Sequence, residues 1–169
     1  MRTPFIATLA LLIGGPAFAA DEPSGCDKFK WPIEREHAAL TAPDRVNLAS
    51  GVELPTLPAN GVTLALVAPT DARLPTPPER SPKEDTFAGF VRVKTLPNAG
   101  LYTISLSSGG WLDVVQNGSF LKPTAHSGAT DCDGIRKTVK FELSASPLVV
   151  QVTGTKENSI SIAILPTER

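Results

Sequence analysis

The sequence is short of most features that make a chemistry legible. It has two histidines in 169 residues, His37 and His126, so a histidine-based metal centre or catalytic base has few parts to draw on. No serine sits in a Gly-x-Ser-x-Gly turn and neither histidine has a partner at motif spacing, which excludes the common nucleophile elbow. Ser107-Ser108-Gly109-Gly110 is glycine-rich but lies between two strand-like runs. No helix follows to receive a phosphate, so it reads as a corner. Charge imbalance is lacking too. A formal net charge of −1 leaves no electrostatic footprint for nucleic acid or an anionic membrane. Past the N-terminus no apolar run approaches membrane-spanning length, so no transmembrane segment is expected in the mature chain.

What is present begins with a leader. Met1 and Arg2 precede an apolar run from Phe5 to Ile13, and Ala17-Phe18-Ala19 forms an Ala-x-Ala exit. That order is a secretory signal peptide over residues 1–19, and it predicts a periplasmic or secreted protein. In an oxidising compartment the cysteine pair, Cys26 and Cys132, is most simply a disulfide. Such a bond draws the N-terminal segment across the protein as a strap, assigned here to residues 20–60, with a β domain over 61–169. The rival reading of the cysteines is a metal-binding or reactive thiol pair. A lipid anchor at Cys26 is opposed by Pro23 and by the acids that separate it from the apolar run.

Only one helical pattern is worth naming. Pro32 suits a first turn, and Ile33, His37 and Leu40 fall on one face, with Glu34, Arg35 and Glu36 pointing elsewhere. Eight prolines between Thr41 and Asp85 exclude most regular structure there, apart from a strand at Gly61–Val67 and a short edge strand within Val46–Leu54. Arg73 to Asp85 is expected as an exposed loop crossing between sheets. Alternation then predicts strands at 86–93, 101–107, 111–116, 119–121, 135–143 and 147–153, closing with Ile160, Ile162 and Ile164. Asn117-Gly118 is a strong hairpin signal. Lys137 is the one break in the alternation of its strand. Seven to nine strands without a long helix predict an all-β, two-sheet antiparallel sandwich of jelly-roll type.

Candidate site residues form two groups. Trp111, Asp113, Asn117 and their neighbours combine a flat apolar ring with hydrogen-bonding groups, the mix that grips sugars or peptides; the competing role for Trp111 is a large core residue. His126, Asp131 and Asp133 share a loop with Cys132 and could ligate a divalent metal such as iron, with His37 as a further ligand. The same residues are equally a turn around a half-cystine. The reading is a non-catalytic protein that needs no cofactor and binds a glycan, protein or envelope component. The alternative is a metal-dependent enzyme centred on His126.

Two resemblances bear on this. The run from Gly100 to Leu106, followed by Trp111 to Val115, Asn117-Gly118, Leu148 to Val152 and Ile160 to Pro166, resembles bacterial pre-peptidase C-terminal domains. That resemblance implies a small β-sandwich of the kind appended to secreted enzymes. Over nearly the whole mature chain, the Trp111 to Val115 strand, His126, Cys132 and Gly134 to Lys137 are similar to short exported proteobacterial proteins. Some of these are labelled homogentisate 1,2-dioxygenase. The label implies an iron held by two histidines and a glutamate, which would require His37 to meet His126.

Overall fold

The computed structural model describes residues 22–168; the leader expected at 1–19 lies outside them. The described chain is a β-sandwich of two sheets with one short helix near its N-terminal end. In chain order come a single 3-10 turn (Cys26–Lys28), α1 (Glu34–Thr41), β1 (Val46–Leu48), β2 (Glu53–Thr56) and β3 (Val62–Ala65). Then follow β4 (Phe87–Thr95), β5 (Gly100–Leu106), β6 (Trp111–Gln116), β7 (Ser119–Phe120) and β8 (Ala125–Gly128). The last three are β9 (Lys137–Leu143), β10 (Leu148–Thr155) and β11 (Ser159–Pro166). One sheet has the order β1-β3-β11-β5-β9-β8, the other β2-β4-β10-β6-β7. Among the described residues no helix is long and apolar enough to cross a membrane.

The period-2 pattern accounts for the interior. Tyr102, Ile104 and Leu106 of β5 meet Val139, Phe141 and Leu143 of β9 and Ile160 and Ile162 of β11 on the inner face of the six-stranded sheet. Opposite them, Leu148, Val150 and Val152 of β10, Leu112 and Val114 of β6, and Val91 and Val93 of β4 supply the other half of the core. Burial of that apolar surface is the main driving force for the fold. At the β6–β7 turn, Asn117 and Gly118 have φ of +52° and +74°, the geometry of a type I′ hairpin.

The outer face of the six-stranded sheet is covered by the N-terminal strap. The bond between Cys26 and Cys132 is formed, across 106 residues of sequence. Just before the two half-cystines the chain pairs as a short parallel bridge: Gly25 N donates to Thr130 O, and Thr130 N donates to Pro23 O, both at 2.8 Å. Beyond the disulfide, Phe29, Ile33, Ala39 and Leu40 bury against Ala129, Ile135 and Ala163, making a second and smaller core. Thr103, Ser105 and Thr138 are polar yet fully covered, because they point from their strands into this strap rather than into solvent.

The structure corrects several expectations. Both sheets carry a parallel edge pair, β1 with β3 and β2 with β4, so neither is purely antiparallel. The segment expected as one edge strand splits into β1 and β2, one for each sheet; the strands of the sandwich therefore begin at Val46. Residues 125–128, expected within a loop, are edge strand β8, held by β9. Glu36, expected to point outward, is buried on the helix with Ile33 and Leu40, while His37 sits at the flank. These short elements owe their state to partners distant in sequence, which local patterning does not register.

Candidate functional site

The outer face of the five-stranded sheet is where the proline-rich segment comes to rest. Gln151 lies centrally on β10 with 0 % exposure, its side-chain amide facing away from the core. Its Oε1 accepts from Thr76 N and its Nε2 donates to Thr76 O, both at 3.1 Å. One glutamine thus pairs with a loop residue as a neighbouring strand would. Asp113 sits opposite it on β6 at 2 % exposure. Its Oδ2 accepts from Glu79 N at 3.2 Å and its Oδ1 from the Trp111 indole Nε1 at 2.6 Å. The loop expected to be exposed over 73–85 has no buried residue, yet it is latched onto β6 and β10 at Thr76 and Glu79.

That latch delivers Arg80. Its guanidinium lies 3.8 Å from the centroid of the Trp111 ring, a cation–π stack. Trp111 is half-buried at the start of β6. It belongs to neither hydrophobic cluster, and one face of its ring is covered by arginine. From the other sheet comes Lys137, whose Nζ lies 5.9 Å from the same centroid and donates to Gly110 O at 2.8 Å. Between the loop, the Gly109-Gly110 corner and the β10–β11 turn opens a cleft of about 530 Å³. Its charged lining is Arg80, Lys83, Lys137 and Lys156 against a single carboxylate, Glu157. Lys156 Nζ is 3.4 Å from Asp85; among the described residues, Arg80, Lys83 and Lys137 have no carboxylate within ion-pair distance.

Burial pushes the Lys137 ammonium below its ordinary value of 10.5, and the charges of Arg136 and Arg80 push the same way, with Glu22 opposing. A lysine whose folded pKa is depressed binds its proton less firmly folded than unfolded. It therefore costs stability at neutral pH, and the cost is lifted as pH rises from the folded value towards 10.5. The comparison that isolates this is wild type against Lys137→Met by urea unfolding from pH 7 upward. The stability of wild type relative to the variant should climb with pH. A constant difference would show that Lys137 carries no such penalty.

Of the residues singled out in the sequence, Trp111 and Asp113 are brought into direct contact. Asn117 lies at the far end of β6, roughly 17–20 Å from Trp111 at strand rise, and serves the hairpin. His126 is exposed on the edge strand β8 of the other sheet. Asp131 accepts from Ser24 Oγ at 2.6 Å, and the Asp133 carbonyl accepts from His37 Nε2 at 2.9 Å. The 126–134 segment is thus the dock for the strap. Gly134, at φ +74°, keeps it close: a Cβ there would lie 2.6 Å from Thr41 Cγ2. Among the described residues no three His, Cys, Asp or Glu side chains converge as metal ligands.

The cations were missed by sequence reasoning. Arg80 and Lys83 look like ordinary loop charges, and only Lys137 left a trace, as the polar residue on an otherwise apolar strand face. It is tolerated there because it lies at the first position of β9, where its amine reaches the rim of the sandwich. The chain matches no protein-family model, and no curated protein or solved structure is significantly similar to it.

Proposed function

We propose that this chain is an exported, non-catalytic β-sandwich that binds a glycan or other cell-envelope component in the cleft beside Trp111. The cleft carries the reading. Its size falls within the range of small-ligand sites, and its walls combine an aromatic ring with convergent polar groups. Glycine backbone at Gly109, Gly110 and Gly154 suits a hydroxyl-rich ligand. Export is supported by the leader signature together with a disulfide that needs an oxidising compartment.

Trp111→Ala is the direct test. It removes the ring from the cleft and the stack under Arg80, yet leaves both hydrophobic clusters intact. The variant should remain folded, with a loss of about 2–4 kcal/mol from the cation–π stack, the partly buried ring and the indole hydrogen bond that the buried Asp113 loses. Its binding to an array of envelope polysaccharides and oligosaccharides should disappear. Retention of wild-type binding would remove the cleft from consideration, and outright unfolding would return Trp111 to a structural role.

A further inference from the structure

Resting on that reading, we infer that the ligand is an acidic saccharide, its oxyanion substituent held by Arg80, Lys83 and Lys137. Neutral sugars are most often gripped by stacking on a free aromatic face. Here the Trp111 ring is already stacked by a guanidinium at 3.8 Å, so that surface is occupied by charge. Stacking through its plane leaves the in-plane N–H edge of an arginine available, and that edge is the part that meets carboxylate, sulfate or phosphate in a bidentate fashion.

The surrounding charges are arranged to the same end. Lys137 reaches the cleft from the opposite sheet, and Lys83 stands on the same loop as Arg80. Glu157 is the one carboxylate in the lining, and none of the described residues brings a carboxylate within ion-pair distance of any of the three. Asp113, the nearest buried acid on β6, has both oxygens engaged, by the Trp111 indole and the Glu79 amide. The chain as a whole is close to electrically neutral, so the collection of cations at one cleft is local and not a consequence of composition. Burial of Lys137 leaves a charge poorly served by water, and an anionic ligand supplies what water does not.

Calorimetric titration of the intact mature protein with oligogalacturonates and with the same oligosaccharides methyl-esterified separates charge from sugar. Sulfated dextran oligosaccharides distinguish a sulfate ester from a uronate carboxylate, and inorganic sulfate tests the anion alone. An acidic oligosaccharide should bind, and its neutral counterpart should bind at least about tenfold more weakly. Lys83→Glu, on an exposed side chain, should weaken the acidic ligand by about tenfold, and Arg80→Ala by at least as much. Lys122→Glu, the same charge change outside the cleft lining, should have little effect. Equal binding of esterified and free oligosaccharides, unmoved by Lys83→Glu, would overturn the inference and leave glycan recognition standing. Binding of inorganic sulfate with no saccharide binding would leave an anion site and overturn the saccharide. No binding of any probe would overturn both.

Discussion

Replacing Cys26 and Cys132 together by serine should lower the unfolding free energy by about 4.7 kcal/mol, the chain-entropy value for a loop of about 100 residues. The covalent link spans 106 residues, so its loss returns a large conformational freedom to the unfolded chain. The native side also changes. At its N-terminal end the second core, in which Phe29 and Ile33 cover Ile135 and Ala163, then keeps the Ser24–Thr130 bridge, the Ser24–Asp131 hydrogen bond and the ion pair of Glu22 with Arg136. Further along, Lys30 N donates to Ser127 Oγ and His37 Nε2 to the Asp133 carbonyl. Exposed pairs of this kind contribute little each. The main core takes its residues from Leu48 onward and keeps them. Limited proteolysis of the variant should therefore cut first between residues 22 and 31, before the sandwich yields. Urea unfolding measures the loss; a change below about 1 kcal/mol would mean that strap contacts alone hold the segment.

Gln151→Ala should be nearly as damaging, at about 2–4 kcal/mol, for a different reason. The side chain is wholly enclosed and makes both of its hydrogen bonds to the backbone of Thr76. Truncation leaves that amide and carbonyl without partners and opens a void between loop and sheet. If the loop lifts away to recover water, part of the stability loss is recovered, but Arg80 then leaves Trp111. Equilibrium unfolding and ligand titration together distinguish the two responses. A variant within about 0.5 kcal/mol of wild type that also binds ligand normally would show that the loop is held elsewhere.

How much of this was legible depends on the range of the forces involved. The core strands were legible because alternation at Tyr102, Ile104 and Leu106, or at Leu148, Val150 and Val152, is a local record of one buried face. The disulfide was legible from parity and compartment. The short edge strand β8 was not, since it is defined by what β9 donates to it, whereas β7 was announced by the Asn117-Gly118 hairpin signal. The cleft beside Trp111 was least legible. Arg80 meets Trp111 because Gln151 captures Thr76 from 75 residues away, and no window of sequence contains both partners. The 126–134 segment drew attention for a real reason, its half-cystine and acids, yet Cys132, the Asp131 carboxylate and the Asp133 carbonyl are engaged in docking the strap.

The strand order has a consequence for how the molecule comes into being. The centre of each sheet is filled by one of the last two strands: β10 separates β4 from β6, and β11 separates β3 from β5. A nascent chain that has emerged only as far as Ser146 lacks the strand that joins the two halves of each sheet. It has hairpins but no way to zip them together, and contacts of such long sequence separation form late. Folding therefore waits for the final stretch, and the incomplete polypeptide stays pliable until then. Trimming β11 should not give a smaller sandwich but an open chain with its apolar strand faces unmatched.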